Sequence, residues 1–250
     1  MRDLRNHGLE PHPVLDKYYP ARDQRLSFVR ALFNQTAPHY DGINRLFSLG
    51  QGAGYRRRCL LRNGLRPGHR VIDVAIGTGL LAREAVAITG DRRNVVGVDL
   101  SEGMLRVARD KLGVPLIQGT AEQLPIADGV ADFVTMGYAL RHVSDLVDAF
   151  REFRRVLRRG GTVLALEIGR PTTPLRRMVA SAYLGQVVPF LCRWGNGRAT
   201  LATLTRYYWE TIDNCVPAEA ILGAMREAGF PDPQCIVDVD LFRSFVARNP

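Results

Sequence analysis

Between residues 70 and 167 the hydrophobic positions fall into short unbroken runs, separated by longer stretches in which they recur every three or four residues. The runs are Arg70–Ala75, Asn94–Leu100, Pro115–Gly119, Ala131–Met136 and Thr162–Glu167. Continuous apolar runs of this length predict strands covered on both faces. The stretches between them, Leu80–Ile88, Glu102–Leu112 and Leu146–Leu157, concentrate their apolar positions on one helical face and predict helices. Ser101 stands where an N-cap would, and Arg158-Arg159-Gly160-Gly161 closes the last helix with basic residues and glycine. Strands and helices alternating at this spacing imply βαβ units, a parallel sheet and right-handed crossovers. Ligands of such sheets bind beyond the carboxyl ends of the strands.

The flanks differ. Residues 1–20 have no period and are punctuated by Pro11, Pro13 and Pro20. Ala21–Ser48 is helical in pattern, interrupted at Pro38 and at Asp41-Gly42, and predicts two short helices; Gly54–Asn63 predicts a third. Residues 171–215 are helical, aromatic and basic, with Tyr183, Phe190, Trp194, Tyr207, Tyr208 and Trp209. That segment is too long for a loop and predicts a helical cover over the sheet's carboxyl edge. Ala218–Ala228 reads as a helix, and Cys235–Val239 and Phe242–Arg248 as the last two of seven strands. The expected organisation is an N-terminal extension with lid helices over 1–66 and a sheet domain over 67–250, the cover at 170–215 being an insertion.

Composition narrows the class. The chain has 250 residues, 46% hydrophobic and 24% charged, ordinary values for a globular protein of one domain. No apolar run reaches the roughly 20 residues that span a bilayer, and Met1–Glu10 lacks the apolar core of a secretory signal, so a cytoplasmic protein is expected. Cys59, Cys192, Cys215 and Cys235 are scattered, and the five histidines show no ligand spacing; reduced thiols and no bound metal are expected. The net charge of +9 is mostly arginine, without the aromatic–basic platforms or fingers that would point to a nucleic-acid partner. The cover around Tyr183 to Phe190 would suit peripheral contact with a membrane surface, or a homodimer interface.

The candidate chemistry begins at Asp73-Val-Ala75-Ile-Gly77-Thr78-Gly79, a glycine-rich turn after a strand and before a helix, where backbone and helix N-terminus approach a ligand closely. Gly77-Thr-Gly-Leu-Leu-Ala82 also fits a nicotinamide-binding loop. Asp99 ends the second strand, where its two oxygens can accept both hydroxyls of an adenosine ribose; a strand-end cap is the plainer role. Either cofactor accommodates Asp99. Asp73, a carboxylate just inside the first strand's end, favours a cationic amino acid and a sulfonium, and no Tyr-x-x-x-Lys or similar hydride-transfer set is present. An NAD(P)-dependent oxidoreductase and a non-catalytic adenosylmethionine-binding protein are the competing readings.

A longer series of motifs follows in order: Ala37-x-x-Tyr40-Asp41-x-x-Asn44, Val71 to Gly79, Val98-Asp99-Leu100-Ser-Glu-Gly-Met104-Leu105, Ala121-Glu122-Gln-Leu-Pro125, Leu140-Arg141-His142-Val143, Val156 to Gly161, Leu166 to Pro171, Arg206-Tyr207 and Ala228-Gly229-Phe230. Together they resemble the ubiquinone/menaquinone biosynthesis C-methyltransferases, a branch of the class I S-adenosylmethionine-dependent methyltransferases, over Phe33 to Phe230. The resemblance implies a Rossmann-like fold with a seven-stranded, mostly parallel sheet and S-adenosyl-L-methionine as cofactor. It further implies a small aromatic, quinoid or polyketide-like acceptor methylated on carbon, with O-methylation of a phenol as the alternative.

By the same resemblance Ala75, Gly77, Thr78 and Gly79 hold the methionine part, Asp99 the ribose, and Leu100 and Met104 the adenine. Thr120 and Ala121 meet the adenine amine, and Gly137 lies near the methionine carboxylate. His142 is the candidate general base, since imidazole titrates near neutrality. Arg141 would orient a phenolate, Tyr40 and Asp41 would close over the cofactor, and Glu167, Arg206 and Tyr207 would contact the acceptor. The chain departs from the family pattern at Thr120 (usually Asn or Asp), at His142 (usually Asn), in Leu204-Thr-Arg-Tyr207, and in ending sooner. All but the first of these departures lie on the acceptor side.

Overall fold

The computed structural model describes residues 8–48, 50–191 and 198–250; Cys192, Trp194 and residues 1–7 lie outside them. Three helices precede the sheet: α1 (Arg25–Thr36), α2 (Tyr40–Phe47) and α3 (Gly52–Arg62). The break between the first two is a 3-10 turn at Ala37–His39, where Pro38 has no N–H to continue a helix. Asp41-Gly42, expected as a second interruption, instead lies inside α2, where helical capture of Tyr40–Phe47 overrides the turn preference of the dipeptide.

The alternating region then runs β1 (Val71–Val74), α4 (Leu80–Thr89), β2 (Val95–Asp99), α5 (Glu102–Leu112), β3 (Leu116–Gln118), β4 (Ala131–Gly137), α6 (Leu146–Val156) and β5 (Leu157–Ile168). Two of these helix starts are capped by a side chain. Ser101 Oγ accepts from Met104 N at the head of α5, and Asp145 accepts from Val147 N and Asp148 N at the head of α6. α7 (Pro174–Ala182) leads through a π-helical turn at Tyr183–Val187 into α8 (Val188–Leu191), and α9 (Arg198–Asp213) follows. α10 (Ala218–Glu227), β6 (Gln234–Asp238) and β7 (Phe242–Arg248) close the chain.

The seven strands form one sheet in the order β3-β2-β1-β4-β5-β7-β6. β1 to β5 are parallel; β7 runs antiparallel to β5, and β6 antiparallel to β7. One face buries Phe150 and Phe153 of α6 with Ile221 and Met225 of α10. The other buries Leu60 of α3 with Ala82 and Ala85 of α4. A third cluster, Tyr19, Val29, Leu32, Ile43, Leu204, Tyr207 and Tyr208, joins α1 and α2 to α9 above the strand ends. The strand order reverses between β1 and β4, and the lid and cover roof that point.

Candidate active site

The roofed crevice is a cleft at the carboxyl ends of β1, β2 and β4, where sheets of this topology bind their ligands. Its two halves differ in chemistry. One is built from strand ends and α5: Ala75, Gly77, Asp99, Leu100, Met104, Thr120, Ala121 and Gly137. The other is aromatic and aliphatic, with Val29 and Phe33 of α1, Tyr40 of α2, Tyr208 of α9, and His142 and Val143 from the link between β4 and α6.

In the first half the backbone leaves the strands through left-handed turns. Ala75 has φ 53° and Gly77 has φ 57°, and Tyr138, just past β4, has φ 62°. Non-glycine residues rarely adopt these angles, and they concentrate where a site is held in shape. Gly79 (φ 87°) is required twice over: a Cβ there would also come within 2.2 Å of Leu112. Gly77 N donates to Asp99 Oδ2 and Ser101 N to Asp99 Oδ1, both at 2.8 Å. Each Asp99 oxygen keeps a second lone pair for a ligand hydroxyl. Burial raises the Asp99 carboxyl to about 6, against the pull of those two N–H donors.

Asp73 sits one level deeper, fully buried, and does not line the cleft. Thr135 Oγ1 donates to its Oδ1 at 2.6 Å, while Oδ2 has no hydrogen-bond partner. Burial pushes this carboxyl up to about 7, with the Thr135 hydroxyl opposing. The folded value stands above the ordinary 3.8, so the folded protein holds a proton that the unfolded chain releases. That contribution to stability is complete below about pH 4 and is lost as pH rises through 7. Asp73→Asn, which keeps an oxygen for Thr135, is therefore expected to become more stable relative to wild type across this window, by roughly 2–4 kcal/mol at pH 8. Urea unfolding at pH 5 and pH 8 reads the difference; equal gaps at both would contradict the assignment.

Lid side chains clasp the first half. Thr78 does not face the cleft: its Oγ1 donates to Asp41 Oδ1 at 2.5 Å, and Lys111 Nζ meets Asp41 Oδ2 at 2.6 Å. Asn34 Oδ1 accepts from Ser101 Oγ and Gly103 N at the head of α5. α1 and α2 are thus tied to the glycine loop and to α5.

In the second half His142 is 8% exposed, and neither ring nitrogen has a hydrogen-bond partner. Its ring stacks on Tyr207 (5.4 Å, 23°) and Tyr208 (5.8 Å, 22°) and meets Phe33 edge-on at 5.3 Å. Burial, then the positive charges of Arg141 and Arg25, holds its pKa well below the ordinary 6.5. It is therefore a neutral imidazole with a free lone pair on the wall of the cleft. Tyr208 hydroxyl donates to Tyr40 hydroxyl at 3.0 Å.

The remaining expected acceptor contacts are not brought to the cleft. Arg141 is buried in an ion pair with Glu167, its Nε donates to Thr211 Oγ1 at 3.3 Å, and its guanidinium lies over the Tyr208 ring. Both partners are satisfied chiefly by each other, because a buried lone charge would be costly. Arg206 is exposed on the outer side of α9, and Tyr207 is fully buried against Tyr18 and Phe28. The next residue, Tyr208, faces the cleft; a helix turns about 100° per residue, and only the packing of α9 reveals its phase. Arg56, buried beside Tyr138, was also not singled out in the sequence.

This architecture is that of S-adenosylmethionine-dependent methyltransferases. A methyltransferase of Methanococcus maripaludis, described as putative, superposes with a TM-score of 0.61 at 18% identity, over 87% of this chain and 94% of that one. At that identity the likeness shows the fold. The profile of the ubiE/COQ5 methyltransferase family matches residues 19–235, and the chain belongs to that family. It is 35% identical over 217 residues to the ubiquinone/menaquinone biosynthesis C-methyltransferase UbiE of Vibrio campbellii, covering 84% of this chain and 83% of the relative. The relative of the same name from Coxiella burnetii is 34% identical over 84% of this chain and 86% of its own length. The chain is a methyltransferase, and S-adenosylmethionine is its methyl donor. The first half of the cleft fits that donor: the Asp99 carboxylate can accept a ribose diol, Met104 and Leu100 are apolar walls, and an unpartnered Asp73 oxygen lies behind the glycine loop.

Proposed function

We propose that this chain methylates a ring carbon of a hydroxylated aromatic acceptor of the quinol type, the chemistry named for its UbiE relatives. The observation that carries the reading is His142, neutral and with free ring nitrogens, on the wall of an otherwise apolar half-cleft. When bound, the donor supplies an electrophilic methyl group on sulfur. Phe33, Val29 and Tyr208 hold the acceptor ring flat and exclude water. His142 accepts the phenolic hydrogen, and as that proton shifts toward nitrogen the ring carbon gains electron density and bonds to the methyl while the methyl–sulfur bond breaks; the hydrogen that this carbon carried then leaves as a proton to water, and the phenol takes its own back from His142. The stacked tyrosines fix the imidazole plane, so little reorganisation is left for the moment of reaction. Arg141 and Glu167 act as a buried brace behind Tyr208, not as a contact to the acceptor.

The test is label transfer from tritiated donor to a set of quinols. Label is expected only in quinols with an unsubstituted ring carbon beside a hydroxyl. Transfer to a quinol with every ring carbon substituted would mean O-methylation and would contradict the reading.

An apolar acceptor also raises the matter of delivery. α7 buries none of its residues, yet Leu175, Met178 and Val179 are each more than half exposed on it. Arg170, Arg176 and Arg177 surround them, three cations against Asp213 and Asp240. Among the described residues no helix is long and apolar enough to cross a membrane. We infer that this face of a cytoplasmic protein rests on an anionic bilayer surface, where such acceptors partition. Co-sedimentation with anionic vesicles is expected and should be lost in Leu175→Glu/Met178→Glu. A protein that ignores vesicles and scatters light as a dimer would contradict this and assign the face to a second copy.

A further inference from the structure

Among the described residues three arginines are buried to within a few per cent: Arg25, Arg141 and Arg56. Two have an acidic partner. Arg25 meets Glu10 at 2.8 Å, and Arg141 meets Glu167. Arg56 meets none: its one hydrogen bond runs from Nη2 to the neutral Asn44 Oδ1 at 2.6 Å, and its guanidinium lies 5.4 Å from the centre of the Tyr138 ring. Burying a cation without an anion costs several kcal/mol, and an amide and a ring face do not repay it. The site is nevertheless shaped around it. Gly52 has no side chain where a Cβ would come 2.8 Å from Arg56 Nη1. Asn44 reaches it from α2, the same lid helix that carries Tyr40 and Asp41.

The position of this unpaired cation is informative. Tyr138, on whose ring it rests, follows Gly137 and lines the cleft at the end of β4. Across the strand ends lies Asp73, a buried carboxylate whose Oδ2 has no partner, and Arg56 is near enough to oppose its upward shift in part. Behind the donor-binding end of the cleft thus lie a buried cation and a buried carboxyl group, neither in an ion pair. That arrangement complements a zwitterion. The donor of this family ends in an α-amino acid, one ammonium and one carboxylate.

We propose that Arg56 binds the α-carboxylate of the methyl donor. This rests on the donor assignment and goes beyond it by naming the counter-charge. The planar fork of arginine matches a carboxylate, and the lid helix, through Asn44, presents it. The free protein therefore holds Arg56 at a cost that ligand binding recovers.

Calorimetric titration of S-adenosylhomocysteine and 5′-methylthioadenosine, which lacks the amino-acid end, tests this on wild type, Arg56→Met and Arg56→Lys. Arg56→Met should weaken S-adenosylhomocysteine about 10- to 100-fold, the range for a charge-assisted bond to carboxylate, and leave 5′-methylthioadenosine within a factor of two. Arg56→Lys should lie between. The ligand-free Arg56→Met protein should melt at or above the wild-type temperature, since an uncompensated charge has been removed; a merely structural arginine predicts a lower melting point. Equal losses for both ligands, or none for either, would overturn the proposal. If Arg56→Met does not fold, an Arg56→Lys protein that binds both ligands as wild type does overturns it equally. Wild type binding neither ligand would contradict the donor assignment, and this inference with it.

Discussion

Replacing His142 by alanine is expected to lower kcat by about 100-fold or more, the ordinary weight of a positioned proton acceptor, while the affinity for S-adenosylhomocysteine stays at the wild-type level. The split follows from the two halves of the cleft. His142 sits with Phe33 and Tyr208, away from the Asp99 end, and its nitrogens are tied to no other side chain. Removing it leaves the donor contacts intact and strips the acceptor side of its proton acceptor. Asparagine at this position, whose amide oxygen accepts a hydrogen bond but takes no proton, should recover part of the loss. Because burial and the neighbouring Arg141 and Arg25 keep the imidazole neutral, no limb attributable to His142 should appear near pH 6.5 in the kcat/KM profile. Single-turnover kinetics on the alanine variant decide the matter: a wild-type rate would remove His142 from the chemistry.

The second large effect is at Asp99. Asp99→Ala is expected to weaken S-adenosylhomocysteine by about 100-fold or more, two charge-assisted bonds to ribose hydroxyls being lost at about 1.5–3 kcal/mol each. Asp99→Asn should be nearly as damaging. Both Asp99 oxygens already accept backbone N–H groups, so the amide NH2 would face a donor. The pH dependence has a definite sign. The free protein holds the carboxyl at about 6 through burial, and the diol prefers the carboxylate. Affinity should therefore fall about tenfold per unit as pH drops below 6. Titration calorimetry at pH 5, 6 and 8 measures it; an affinity independent of both pH and residue 99 would contradict the ribose assignment.

The sheet was legible because its strands are unbroken apolar runs bounded by glycine and capping residues, a pattern that barely depends on distant contacts. Asp99 and the Gly77–Gly79 turn were legible for the same reason: strand end, turn and helix start are neighbours in sequence. The failures have a shared physical cause. That Arg141 spends its charge on Glu167, 26 residues on, is a long-range fact. Arg206 and Tyr207 matched a motif, but the packing of α9 against α1 turned Arg206 to solvent and Tyr207 into the aromatic core, and put Tyr208 on the cleft. Arg56 stands first in the run Arg56-Arg57-Arg58, and only its burial separates it from two exposed neighbours. Asp41-Gly42 shows the converse, a local turn signal overruled by the helix around it.

The central claim is methyl transfer to carbon within one cleft, between a donor held at Asp99 and a phenolic ring held against His142. The most direct measurement is a two-dimensional carbon–proton spectrum of the product formed from methyl-13C donor and a quinol with one open ring position. A labelled methyl bonded to the ring carbon, formed by wild type and lost in His142→Ala, is the predicted result. A labelled methoxyl signal, or a ring methyl formed equally well without His142, would contradict it.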